Sequence, residues 1–217
     1  YWSVSQEQRN SLSQQAVEMA RRLNDPASLA YTLNARQVAL WGPDNVKERI
    51  AGAEEMITLA KQGGDQELLL RGQIRLMTAL VERGDLQQAD REFMSYSKRA
   101  EELRQPEYLW FSATWQGMRC WLRGEFTESE RWAQEAFRIG ERAQDPDAAQ
   151  CYLVQIFSFR GAVKSLQDVE LPTKDFAERM STMPSWRAGL ALLYAGLQQD
   201  ALARHEFEQV VAGNFTD

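Results

Sequence analysis

Apolar and small residues recur along this chain at intervals of three and four, and no stretch sustains an alternation at every second position. That is the pattern of amphipathic helices, not of strands. Between Leu86 and Leu103 the inward positions are Leu86, Ala89, Phe93, Tyr96, Ala100 and Leu103; forty residues later stand Phe126, Ser129, Ala133, Ala136, Gly140 and Ala143. Each set traces one helix face. Each follows a tight turn, Arg83-Gly84-Asp85 or Arg123-Gly124-Glu125. The glycine there ends one helix without a Cβ penalty, and the acid sits at the positive N-terminus of the next. Turns and prolines of this kind divide the chain into helices near 5–23, 26–40, 45–63, 65–83, 86–104, 106–123, 126–143, 146–160, 168–180, 184–196 and 199–212. The pattern is weakest over 161–183, where Leu171-Pro172-Thr173 interrupts it and allows the ninth helix to begin only afterwards.

The forty-residue spacing is itself a signal. Ala20, Ala60, Ala100 and Gly140 form one column; Asp25, Asp65 and Asp145 form another, with Gln105 in the remaining slot. Pro26, Pro106 and Pro146 follow in register. A fixed period in this range marks stacked units, none of which buries its apolar face alone. Counting from Gly124, the small residues Gly117, Ser129 and Ala136 stand seven before, five after and twelve after; counting from Gly196, Gly189 and Ala201 fill the first two places. Around Gly84 the match is partial, with Ala89 in place and Met77 where a glycine would sit. This arrangement resembles the tetratricopeptide (TPR) repeat, with a HEAT-like array as the alternative. The expected fold is an all-α, right-handed α-solenoid of about five antiparallel helix pairs spanning residues 1–217.

Four stretches resemble something more specific: Ala20-Arg-Arg-Leu-Asn-Asp-Pro-Ala-Ser-Leu-Ala, Leu33-Asn-Ala-Arg-Gln-Val-Ala-Leu-Trp-Gly-Pro-Asp-Asn, Glu102-Leu-Arg-Gln-Pro-Glu-Tyr-Leu-Trp and Met183-Pro-Ser-Trp-Arg-Ala-Gly-Leu-Ala. Together they look like the C-terminal TPR region of large bacterial multidomain regulators. In that group an ATPase module precedes the repeats, and a DNA-binding or nucleotide-cyclase domain occupies one end. The resemblance implies an adjacent ATPase and effector domain in the parent chain. It does not indicate which effector was attached. The start at Tyr1-Trp2 and the end at Asn214-Phe-Thr-Asp fit a piece of a longer protein. Twenty arginines against five lysines suit a GC-rich bacterial genome.

Charge and chemistry narrow the function. A net charge of −6 argues against a nucleic-acid surface, which carries a basic stripe. No run of 18 apolar residues and no leader segment is visible, so a cytoplasmic location without membrane contact is expected. Cys120 and Cys151 lie within apolar helical segments and read as buried free thiols. No phosphate-binding loop ending in Lys-Ser or Lys-Thr occurs. The single histidine, His205, has no metal-ligand spacing around it, and paired acids such as Glu54-Glu55 read as solvated helix faces. The chain is therefore expected not to be an enzyme and to need no cofactor or metal.

Binding is what remains. In TPR arrays the inner face of each unit's first helix takes the partner. Counted from the turn glycines, that face carries Thr32, Arg36, Arg71 and Thr78 in the first half of the chain. In the second half it carries Thr114, Met118, Trp121, Gln155, Ser158 and Trp186. It is polar and aromatic, with Arg36 and Arg71 suited to hold a carboxylate or phosphate. An acidic peptide or a small polar effector fits it. Trp110, Trp115, Trp121 and Trp132 crowd one unit, either as filling between long helices or as walls of a pocket. Glu82 stands at the rim as the one acid near the face. The expected function is a sensor or protein-interaction domain of a bacterial signalling ATPase or transcriptional regulator, with a passive scaffold as the alternative.

Overall fold

A computed structural model describes residues 5–145, 147–162, 166–179 and 184–212. The readings that fall on Tyr1, Trp2, Pro146, Met183 and residues 214–217 lie outside the described residues. The described residues form eleven α-helices and no strand: α1 Gln6–Leu23, α2 Pro26–Ala39, α3 Val46–Gly63, α4 Gln66–Arg83, α5 Leu86–Leu103, α6 Pro106–Leu122, α7 Phe126–Ala143, α8 Ala148–Ala162, α9 Glu170–Arg179, α10 Pro184–Gly196 and α11 Asp200–Ala212. Short 3-10 turns at Pro43–Asn45 and Gln167–Val169 precede α3 and α9.

Local chemistry sets these boundaries. The aspartate column is a row of N-caps. Asp25 accepts from the Ala27 and Ser28 amides, and Asp65 from that of Leu68. Asp145 accepts from the Asp147 amide just before α8. Each carboxylate satisfies donors that the first turn of a helix leaves unpaired. One residue ahead of each aspartate slot the chain turns left-handed, at Asn24, Gly64, Arg104 and Gln144. Only one of these four is glycine, so the sequence concealed the column. The turns at Gly84 and Gly124 are left-handed as expected, with φ of 85° and 76°.

Two expectations shift. The left-handed residue between α10 and α11 is Gln198, whereas Gly196 still belongs to α10. Counted from Gln198, the positions seven before, five after and twelve after are Ala191, Ala203 and Val210, and Ala191 and Val210 are buried. The small-residue register of the last pair is thus displaced by two. Leu171-Pro172-Thr173 lies inside the first turn of α9 and does not interrupt it. Proline is tolerated there because its missing N–H would have no partner within the helix.

The chain divides into two compact units, residues 1–105 and 106–217. In the first, each helix from α1 to α5 packs on the next, and Val17, Leu33 and Met56 form a core cluster. In the second, α6 to α11 pack in the same successive manner around Leu153, Ile156, Phe159, Trp186 and Leu193. The small column Ala20, Ala60, Ala100 and Gly140 is buried throughout. At Gly140 a Cβ would stand 2.4 Å from the Ala148 Cβ and 3.0 Å from the Trp110 ring, so the glycine lets α6, α7 and α8 meet. Between α6 and α7 the Ser129 hydroxyl donates to the Gly117 carbonyl at 2.7 Å. Of the helix face traced from sequence, Ala89, Phe93, Tyr96 and Ala100 are buried, while the outermost positions Phe126 and Ala143 are exposed.

Candidate binding surfaces

In the first unit the expected face residues sit on α2 and α4. Thr32 and Thr78 are half-buried, and each hydroxyl bonds a carbonyl of its own helix. Arg71 is exposed. Arg36 is engaged. Its guanidinium reaches Glu48 at 2.7 Å, the Asn10 carbonyl at 3.3 Å and the Ser13 hydroxyl at 3.1 Å, tying α1, α2 and α3 together. The fork suited to a carboxylate thus holds one of the protein's own.

Sequence reasoning missed a second arginine in this unit. Arg49 on α3 is 2% exposed and bonds both oxygens of Glu82, at 2.5 and 3.0 Å. The exposed Trp41 ring lies 4.9 Å from its guanidinium carbon. Glu82, the acid placed at the rim of the face, is therefore the counterion of a buried cation. No spacing rule announces a buried arginine; its neighbours on α3, such as Ile50 and Ala53, give the only hint, an apolar stripe with one charge in it.

In the second unit the face residues lie on α6, α8 and α10. Gln155 of α8 donates to the Thr114 carbonyl of α6 at 2.8 Å, which brings two of them together. At the corresponding positions a bridge of different chemistry links α4 to α2 in the first unit, where Arg75 donates to the Asn34 side-chain oxygen at 3.1 Å. Both pairs are 41 residues apart. Met118 and Trp121 are half-buried, and Trp121 packs against the core. Trp186 is 9% exposed, with its ring 4.5 Å from that of Phe176. The left-handed turn lies at Gln198 and not at Gly196, so the count that puts Trp186 on the face is two positions off, and its ring packs in the core with one edge towards the gap between α8 and α10. Trp115 is buried beside Phe111, and Trp110 covers Gly140, so these rings fill space between helices. Trp132 carries Arg131 over its ring at 4.8 Å.

A cleft of about 300 Å³ opens between α8 and α10 above α9. Ser158 and Trp186 border it, with Phe157, Val154, Thr173 and Gly189. Among the described residues no charged side chain lines it. Thr173 is 3% exposed, and its hydroxyl has no hydrogen-bond partner among the described residues. Gly189, expected to admit a close helix contact, would have no described neighbour within 4 Å of an added Cβ.

Other reactive groups stand apart from these surfaces. Cys120 is buried, Cys151 is half-buried, and both are free. Burial raises the Cys120 thiol pKa. Burial, reinforced by Asp147 and Asp145, pushes the Cys151 thiol up to about 11. His205 is exposed on α11. Among the described residues no cluster of three His, Cys, Asp or Glu side chains is placed to hold a metal. No described helix is long and apolar enough to cross a membrane.

No protein-family model matches the sequence, and no curated protein matches it. Solved structures do. BtubC (BKLC) from P. vanneervenii superposes with a TM-score of 0.70 at 14% identity, covering 99% of this chain and 94% of that one. The apo form of RapI gives 0.56 at 9% identity, covering 99% of this chain and 73% of its own. A Podosopora anserina protein described as a kinesin light chain with nearly identical TPR-like repeats gives 0.55 at 16% identity, covering 94% and 95%. At these identities the likeness speaks for the fold: an all-α, TPR-like stack of helix pairs.

Proposed function

We propose that this chain is a non-catalytic, TPR-like interaction domain that binds a protein or peptide partner along the first helices of its pairs. The observation that carries this reading is the recurring bridge between neighbouring first helices, Asn34 to Arg75 and Thr114 to Gln155. It holds those helices side by side in fixed register. Thr32, Thr78, Met118 and Ser158 are left partly exposed beside it. Preorganised helices of this kind bind with little ordering cost. The selection of peptides displayed on phage, followed by titration, tests the reading. Binders are expected, and Arg71→Glu is expected to weaken acidic ones about tenfold. Failure to select any binder would refute it.

The finer reading is that the domain serves as the sensor region of a cytoplasmic bacterial signal-transduction ATPase or transcriptional regulator. Its support is the resemblance carried by the Ala20, Leu33, Glu102 and Met183 stretches. A partner or effector that favours one arrangement of the repeats would shift the adjacent ATPase between two states. ATP turnover of the parent polypeptide should then change when a selected peptide is added. Turnover that ignores every bound peptide would leave the passive scaffold as the role.

A further inference from the structure

We propose that the groove between α10 and α11 is a docking site for an amphipathic helix of a partner protein, one whose apolar face carries an acidic residue near its C-terminal end. The inference does not rest on the reading of the first helices, because half of this groove belongs to α11, the second helix of its pair.

What the groove takes is read from an earlier pair of the same unit. α8 lies against α6 and α7, and it is held at Thr114, Gly117, Glu130 and Phe137. Gln155 donates to the Thr114 carbonyl at 2.8 Å, and its amide nitrogen would stand 3.5 Å from a Cβ at Gly117. Arg160 pairs with Glu130 at 2.6 Å, and Tyr152 stacks on Phe137 with ring centroids 4.8 Å apart. Counted from the left-handed turn at Gly124, these positions stand ten and seven residues before it and six and thirteen after. Counted from Gln198, the same places hold Ala188, Ala191, Arg204 and Val211, and all of them line a groove of about 920 Å³. Leu192, Phe207 and Val211 are exposed in it. Apolar surface of this kind, rimmed by polar residues, marks an interaction site. α4 meets α2 and α3 of the first unit as α8 meets α6 and α7, so a helix is the shape that a pair of this repeat receives. The charge of that helix follows from Arg204. Where α8 brings an arginine to Glu130, a helix that meets Arg204 gains by bringing a carboxylate. Asp200 and Glu208 line the groove one turn to either side of Arg204, so the preference belongs to that one position and is not a general attraction of anions.

The probe is a synthetic peptide of the chain's own residues 147–162 carrying Arg160→Glu, with Cys151→Ser to prevent disulfides. It is added to the full chain and followed by fluorescence anisotropy and calorimetry. Binding is expected with a Kd of about 100 µM or tighter, and the same peptide retaining Arg160 should bind at least about tenfold more weakly. Arg204→Glu in the protein is expected to reverse that order. Leu192→Asp, which puts a charge on the apolar floor, is expected to weaken both peptides at least about tenfold. Both positions are exposed, and circular dichroism of each variant checks that it folds. Should either not fold, the order of the two peptides on the unaltered chain still decides the charge rule. The opposite order there, the result of a peptide that merely displaces α8, would overturn the assignment. So would peptides that fail to bind below about 1 mM, or an order that Arg204→Glu leaves as it was. A chain that sediments as a dimer and is dissociated by Leu192→Asp would overturn it too, by making a second copy the occupant.

Discussion

Glycine has opposite meanings at Gly140 and Gly189, and the difference is measurable. At Gly140 a methyl group would collide with Ala148 and press on Trp110. Gly140→Ala is expected to cost about 1–3 kcal/mol despite alanine's better helix propensity, because overpacking exceeds the propensity gain. Gly189→Ala meets no described atom and should stabilise by up to about 1 kcal/mol. Urea denaturation of the two variants reads the contrast directly, and equal shifts would show that the two sites do not differ in packing. The cysteines make a second prediction at this scale. With the Cys151 thiol pushed up to about 11, its alkylation should rise about tenfold per pH unit past pH 9, where an ordinary thiol levels off. The folded state keeps a proton that the unfolded chain releases. The associated stability is therefore complete below about pH 9 and falls as pH climbs towards 11. Iodoacetamide labelling across pH 7–11, read by mass spectrometry, checks the first point.

Helices were the most legible level of the sequence. Their starts carry aspartates that cap, and their buried faces hold residues at three-four spacing, so all eleven expected starts lie within two residues of the observed ones. What stayed hidden was the left-handed turn made by residues other than glycine. Gln198 adopts φ of 60° with no compositional mark, and the eye goes to Gly196 instead. That displacement moved Trp186 from the core onto the expected binding face. Ion pairs between helices were hidden too, because partners such as Arg49 and Glu82 are 33 residues apart. Glu82→Gln should destabilise by about 1–3 kcal/mol, less than for a fully buried pair because the Glu82 side chain is 31% exposed. Arg49→Met with Glu82→Leu should recover most of that loss, since an apolar pair leaves no charge uncompensated. The cap at α5 offers a simpler check. Asp85 accepts from the Gln88 amide, and Asp85→Ala should cost about 1 kcal/mol in thermal or urea unfolding.

For the molecule as a whole, the forty-residue period announced stacked helix pairs, and the likeness to TPR-like solved structures agrees with it. The candidate face was only partly legible. Spacing placed Thr114 and Gln155 near one another, and the structure joins them. Spacing does not reveal that Arg36 is already occupied by Glu48, because side-chain partners come from packing and not from periodicity. The central claim is that the first helices of the pairs form the interaction surface. Amide hydrogen exchange of the chain with and without a selected peptide tests it most directly. Slowed exchange confined to α2 and α4, or to α6, α8 and α10, is the predicted result. Protection confined to α3, α5, α7 or α11, with the first helices unchanged, would contradict it.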